Sequence, residues 1–221
     1  MSLEIISTMP VLSSPLNKPQ CKMFKGLMDI SGALAALIIF SPFFLVIYVL
    51  VKRDGGPAFY GHTRIGKGGK SFKCWKFRSM RPDADAVLQE LLENDPAARA
   101  EWERDFKLRH DPRVTKIGAF LRKTSLDEWP QFYNVLCGEM SLVGPRPVVE
   151  DERKYYGAYW KDYLAVKPGI TGLWQVSGRN DTGYKRRVVL DRAYVRRWSA
   201  WKDIAIIFKT AKVMLVRDGA Y

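Results

Sequence analysis

Asp127 and Glu128 stand side by side, two residues after Ser125 and just beyond the basic pair Arg122-Lys123. Neighbouring carboxylates can do two kinds of work. One is structural: Ser125 with Glu128 three residues on matches a capping box, in which the serine caps a helix and the glutamate reaches back to the cap N–H. Acids in a first helical turn also complement the helix dipole. The other is chemical. An aspartate at a helix N-terminus, beside Arg122 and Lys123, should stay ionised, and an ionised carboxylate can attack phosphorus to give an acyl phosphate. Glu128 could then hold Mg²⁺, which neutralises and orients a diphosphate. Two adjacent anions need a metal or nearby cations, and Arg122, Lys123 and Arg146 are the candidates. Spacing alone does not choose between cap and nucleophile.

Other chemical patterns are weaker. Gly66-Lys67-Gly68-Gly69-Lys70-Ser71 lacks the four-residue spacing of a P-loop. Asp83-Ala84-Asp85 mimics a metal-binding D-x-D but sits in an acidic, helix-like surface stretch. His62 and His110 have no partner at metal-ligand spacing, and Cys21, Cys74 and Cys137 form no C-x-x-C pair. A reducing, cytoplasmic setting follows naturally from this cysteine usage.

The elements that must carry the dyad begin with an apolar run. Ile30 to Val51 holds no charged residue, and Ser41-Pro42 lies at its centre. As helix it would reach about 33 Å, enough to cross the hydrocarbon core of a bilayer. Pro42 removes an N–H and clashes one turn back, which predicts two half-helices joined at a bend. Lys22 and Lys25 precede the run and Lys52 and Arg53 follow it. Basic flanks prefer the cytoplasmic side, so a bent segment entering and leaving by one face satisfies both. A kinked spanning anchor is the alternative. A cleaved signal peptide fits poorly, because the run is long and Lys52-Arg53-Asp54 follows it.

Residues 58–80 read as a β-hairpin around the turn at residues 66–70. Lys52 to Arg81 contains nine Lys or Arg and one acid, Asp54, a composition suited to anionic headgroups or phosphate. Helices are predicted over Asp83–Phe106, Val114–Arg122, Leu126–Leu136 and Arg186–Val216, with Gly138 ending the third. Trp198 and Trp201 open an amphipathic segment that could lie in a membrane interface or pack in the fold. Gly144-Pro145-Arg146-Pro147 is a rigid turn, and the loop over residues 167–180 places Lys167 and Arg179 among glycines. Residues 1–21 read as a disordered tail, 22–53 as the re-entrant membrane helix and 54–221 as one cytosolic domain. The fold class is α+β, mostly helical. A net charge of +13 points to phosphorylated small molecules, anionic lipid or nucleic acid, and the membrane run favours the first two. Charge alone also fits a non-catalytic basic module bound to a membrane surface.

These segments together resemble the bacterial sugar transferase family, the monotopic phosphoglycosyl transferases that act on polyprenol phosphate. The resemblance rests on the apolar run with Ser41-Pro42, on Lys76-Phe77-Arg78-Ser79-Met80 and on the stretch from Leu121 to Gln131. Met140 to Pro147 and Lys167 to Gly172 complete it, and it covers Lys22 to the C-terminus. It implies that Asp127 is the nucleophile that takes hexose-1-phosphate from a UDP-sugar and releases UMP, and that Glu128 supports Mg²⁺. Undecaprenyl phosphate then receives the group. By the same resemblance Arg122 meets the polyprenol phosphate, Arg146 the nucleotide-sugar, and Lys76, Arg78 and Arg179 are further substrate-binding candidates. Trp129, where many members have a smaller apolar residue, is expected to affect packing only. Gly178-Arg179-Asn180-Asp181 resembles the subgroup that starts exopolysaccharide or O-antigen repeats with galactose or glucose. The expected partners are a UDP-hexose, undecaprenyl phosphate and membrane lipid, with no nucleic acid and a homodimer left open. The expected location is the bacterial inner membrane, with the site on the cytoplasmic face and the chain in the short, catalytic-only form.

Overall fold

The structure is a computed structural model that describes residues 14–105, 108–178 and 183–216. It is mostly helical, with two small sheets. Helix α1 (Pro19–Lys52) begins with proline at its first position, where the missing N–H costs nothing. It continues through Pro42 without interruption, so the two half-helices expected at Ser41-Pro42 are corrected to one element. The local chemistry explains the continuity. Pro42 leaves the Ile38 carbonyl without its ladder partner, and the Ser41 hydroxyl donates to that carbonyl at 2.8 Å. By length and composition α1 is the one helix among the described residues that could cross a membrane.

One face of α1 lies on the domain at both ends of the helix. Lys25, Asp29, Ala33, Ile47 and Val51 are buried at multiples of the helical repeat, while Met23, Leu27, Ile38, Phe43, Leu45 and Val49 stay exposed. Two polar clamps fix its ends. Near the N-terminus, Lys25 pairs with the fully buried Asp203 at 2.8 Å and with Asp29 at 3.0 Å. Asp203 also accepts from Trp198 Nε1 at 3.1 Å and Tyr194 Oη at 2.8 Å. Asp29 accepts from Ser141 Oγ at 2.9 Å and the Leu142 N–H at 3.0 Å. At the C-terminal end, Arg78 spends its five N–H donors on Asp54 and on the carbonyls of Val51, Pro57 and Met80.

The predicted hairpin is present as β1 (Phe59–Ile65) and β2 (Ser71–Phe77), antiparallel, with Tyr60 opposite Lys76 and Arg64 opposite Phe72. The predicted acidic helix is two, α2 (Ala84–Asn94) and α3 (Pro96–Asp105), because Pro96 cannot continue α2 and the Asp95 carboxylate caps the N–H groups of Ala97 and Ala98. Helix α4 (Lys116–Thr124) is capped by Thr115. The predicted helix from Leu126 is a 3-10 turn (Leu126–Glu128) followed by α5 (Gln131–Leu136), with Pro130 between them. Gly138 closes α5 at φ +76°, as its position predicts.

A parallel pair, β3 (Ser141–Val143) and β4 (Gly169–Thr171), forms where the sequence pattern shows only turn and loop. It joins the two glycine motifs. A Cβ on Gly169 would lie 2.1 Å from the Gly144 nitrogen, so these backbones can meet only without side chains. Short helices α6 (Arg153–Tyr156) and α7 (Trp160–Leu164) pack on α8 (Tyr184–Arg196). Helix α9 (Ala200–Val216) is separate from α8, where one helix was predicted. The break turns Trp198 inward onto Asp203, so Trp198 is core, whereas Trp201 is 80% exposed. The predicted tail also ends earlier than residue 21: Ser14 bonds the Val195 carbonyl at 2.6 Å and Leu16 is buried. Residues 1–13 lie outside the described residues.

The α1 clamp predicts a large penalty when one partner is removed. Asp203→Ala should cost about 3–5 kcal/mol, because Lys25 loses one of its two carboxylates and the buried Tyr194 Oη and Trp198 Nε1 donors lose their acceptor. Unfolding of detergent-solubilised protein measures this, and a loss under about 1 kcal/mol would show that the cluster does not hold the helix.

Candidate active site

The dyad is built by a chain reversal. Helix α4 ends at Ser125, which adopts a left-handed conformation at φ +57° and is alone among the described non-glycine residues in doing so. A side chain there costs on the order of 1–2 kcal/mol, and such strain gathers at functional sites. The Ser125 N–H closes α4 by bonding the Arg122 carbonyl at 3.2 Å. Its side chain makes no capping bond, so the capping box predicted for Ser125 and Glu128 is absent. The reversal frees both acids from capping duty and points them at strand β2.

There the Lys76 ammonium lies between them, 2.7 Å from Glu128 Oε1 and 3.4 Å from Asp127 Oδ2. Asp127 is buried, while Glu128 and Lys76 keep about a third of their side chains in solvent. Burial pushes the Asp127 carboxyl above its ordinary value, and Lys76 and, more weakly, Arg122 oppose that rise. The sequence argument expected Arg122 and Lys123 to hold Asp127 ionised; the main counter-charge is instead Lys76, because Arg122 turns its Nε to Ser79 Oγ at 2.8 Å. Burial pulls Lys76 down, yet the two carboxylates outweigh it and its ammonium is raised.

Two neighbours fix this geometry. Asn134, fully buried on α5, accepts from the Trp75 N–H at 3.0 Å and donates to the Lys73 carbonyl at 2.7 Å. It therefore stitches the helix after the dyad to the strand that carries Lys76. Sequence reasoning missed it, although a polar residue inside the apolar run Phe132 to Leu136 was a visible signal. Trp129, next to Glu128, meets Phe40 at 4.7 Å and Phe44 at 5.9 Å between ring centres. Phe44 continues to Phe77 at 5.2 Å. The residues flanking Ser41-Pro42 thus pack directly behind the dyad, and the packing role expected of Trp129 is the one it has.

Of the other candidates, Arg146 lies near enough to weaken Lys76's hold on its proton, and its guanidinium is 5.9 Å from the Trp174 ring centre. Arg78, expected at substrate, is the clamp described above and has no N–H left for a ligand; this corrects its assignment. Arg179 lies outside the described residues.

The donor set fits a hard cation. Mg²⁺ takes oxygen ligands and is often held by one or two carboxylates plus substrate phosphates, which is what Asp127 and Glu128 offer. Among the described residues no group of three or more His, Cys, Asp or Glu forms a self-sufficient metal cage. The site therefore combines a buried carboxylate, a partner carboxylate, an ammonium that balances them and an apolar helix against its back.

Residues 20–217 match the family described as bacterial sugar transferase. The chain is 59% identical over 210 residues to an uncharacterized sugar transferase of Haemophilus influenzae, covering 95% of this chain and 45% of that protein. It is 57% identical over 210 residues to the undecaprenyl-phosphate galactose phosphotransferase of Salmonella typhimurium, covering 95% and 44%. It is 52% identical over 205 residues to the exopolysaccharide production protein ExoY of Rhizobium meliloti, covering 92% and 91%. The chain spans less than half the length of the first two relatives and about nine tenths of the third. With the family match running from α1 to the end of α9, the chain belongs to the bacterial sugar transferase family.

Proposed function

We propose that this chain transfers hexose-1-phosphate, galactose or glucose, from a UDP-hexose to undecaprenyl phosphate, the first membrane step in building an exopolysaccharide or O-antigen. The observation that carries the reading is the Lys76-bridged Asp127–Glu128 pair backed by the apolar helix. The galactose option is supported by the relative named as a galactose phosphotransferase.

The chemistry follows from the residues. An Asp127 oxygen attacks the phosphorus that bears the hexose; the bond from that phosphorus to the bridging oxygen breaks, and UMP leaves with the electron pair. Asp127 then carries hexose-1-phosphate as an acyl phosphate. An oxygen of undecaprenyl phosphate attacks the same phosphorus, the bond to Asp127 breaks, and the carboxylate is restored. Burial makes Asp127 a more basic and hence stronger nucleophile once ionised. Lys76 bridges Glu128 and Asp127, and the two carboxylates strengthen its hold on its proton. Arg122, on the exposed end of α4 with its Nε on Ser79 Oγ, would meet the lipid phosphate. Bound through Glu128 and Asp127, Mg²⁺ would neutralise the diphosphate oxygens.

The membrane reading is monotopic. Both ends of α1 are tied to the same domain, so a re-entrant or in-plane helix on the cytoplasmic face of the inner membrane accommodates the ties better than a spanning one. The exposed apolar side of α1, with Trp201 and Phe208 on α9, then faces lipid. This puts the dyad at the depth where a lipid phosphate waits.

Purified protein with Mg²⁺, undecaprenyl phosphate and a panel of UDP-sugars should release UMP with at least one hexose, and Asp127→Asn should lower that rate by about a thousandfold or more. Release that survives Asp127→Asn would reject the mechanism. The pH profile gives a second check. Asp127 must be ionised to attack, so activity falls as pH drops through its raised pKa, and the acid limb lies above the ordinary carboxylate range. Lys76→Met removes the opposing cation, so the limb should move to higher pH by about one unit; an unmoved or lowered limb would contradict the role given to Lys76. For topology, cysteines at Lys18 and Arg53, in a background free of native cysteine, should both be shielded from an impermeant label in intact cells. Labelling of one but not the other would mean that α1 spans the membrane.

A further inference from the structure

Beyond the dyad, two guanidinium groups share one carboxylate and a third lies beside the same tryptophan ring. Arg64 on β1 and Arg187 on α8 approach the same carboxylate, Glu152, at 3.7 Å and 3.3 Å. Glu152 is held in place by the Val149 N–H at 3.0 Å. Arg64 also reaches the Pro147 carbonyl at 3.4 Å, next to Arg146. Arg146 and Arg187 lie 5.9 Å and 5.1 Å from the centre of the same Trp174 ring. Arg187 is 5% exposed, and its Nε and Nη2 have no hydrogen-bond partner. Leaving such donors unpaired in a buried site is costly, so a cluster of this kind points to an absent acceptor.

The charge balance leans the same way. Arg64 loses proton affinity through burial and through the repulsion of Arg146 and Arg187. The second anion beside Arg187, Asp191, is pushed by burial up to about 7 and so is only partly charged near neutrality. The cluster is also continuous with the dyad. Arg64 faces Phe72 across the hairpin, four residues before Lys76, so Arg64 and Lys76 share one face about 14 Å apart along the strand. The Arg146 charge acts on both, lowering the proton affinity of each.

We propose that Arg64, Arg146 and Arg187 form a phosphate-binding cradle, separate from the Asp127–Glu128 dyad, that holds the phosphate of the departing uridine nucleotide. Guanidinium forks match a tetrahedral oxyanion, and three of them around one site suit phosphate better than a single carboxylate. Glu152 occupies one side of the cradle and positions two of the forks; Arg187 Nε faces Asp191 Oδ2 at 3.9 Å, which leaves the Nη2 donor for the ligand. The inference rests on reading the chain as a UDP-hexose transferase, and it adds Arg64 and Arg187 to the residues that bind donor.

The test uses the full chain in detergent, with Arg64→Gln, Arg187→Gln and Arg187→Lys. Donor and acceptor KM are measured by UMP release, and the Kd for UMP is measured on Asp127→Asn protein by calorimetry. Arg64→Gln and Arg187→Gln should each raise donor KM and the UMP Kd by about tenfold or more, while acceptor KM stays within about twofold. Arg187→Lys, which keeps the charge and loses the fork, should recover part of the loss. A rise in acceptor KM alone would assign the cradle to lipid phosphate and overturn the nucleotide assignment. An unchanged UMP Kd would overturn the cradle altogether. Should Arg187→Gln fail to fold, Arg64→Gln decides, because its side chain is 19% exposed and carries less packing. If no UDP-sugar yields UMP from the unaltered protein while Arg64→Gln still weakens UMP binding, the transferase reading falls and the cradle stands.

Discussion

The whole site depends on one ammonium shared by two adjacent carboxylates. Asp127 and Glu128 follow each other in sequence and cannot separate, so partly burying both without a cation would drive a proton onto one of them. Lys76 supplies that cation from a strand more than fifty residues earlier. Every large feature around it serves the meeting. The hairpin presents Lys76, the strained reversal at Ser125 turns the acids toward it, and Asn134 fixes the distance between strand and helix. Asp127 is left more basic than an ordinary carboxylate by burial, beside the positive charge that opposes that rise.

The apolar helix is part of the same arrangement. It is fastened by Lys25 and Asp203 at one end and by the Arg78 clamp at the other, and Trp129 with Phe40 and Phe44 couples its midpoint to the dyad. Such buried ion pairs contribute little net stability over an apolar replacement, yet breaking one is severe, so they act as specificity devices that allow one placement of the helix. Fixing the helix fixes the height of the dyad relative to any lipid surface the helix enters. On the proposed function, this links a hydrophobic segment to a phosphoryl transfer between one water-soluble and one lipid-borne substrate.

Much of this was legible in the sequence, and the limits have physical causes. The hairpin, the apolar helix, the dyad and the Gly138 stop are local patterns carried by turn residues, periodicity and adjacency. The failures are mostly tertiary. Nothing local said that Trp198 would turn inward, because the reason is Asp203 and its ties to Lys25 and Tyr194. Lys76 on β2 and Arg78 just past its end sit two residues apart, yet one enters the site and the other closes a clamp, a difference made by the 3-10 turn of the dyad and by Asp54. Pro42 was read as a break because the rescue of the Ile38 carbonyl by Ser41 is a side-chain detail that helix rules leave out. The cap predicted for Ser125 failed for a similar reason: the preceding helix ends there in a left-handed turn, and a residue in that conformation cannot also open the next helix in the usual way.

The account stands on Asp127 forming a bond to phosphorus, and intact-protein mass spectrometry after incubation with the UDP-hexose donor and Mg²⁺, without lipid acceptor, reads that bond directly. The protein should gain the mass of one hexose-phosphate, the fragment spectrum should place it on Asp127, and added undecaprenyl phosphate should remove it. A donor that is turned over with no adduct at any stage, or an adduct on a different residue, would contradict the account.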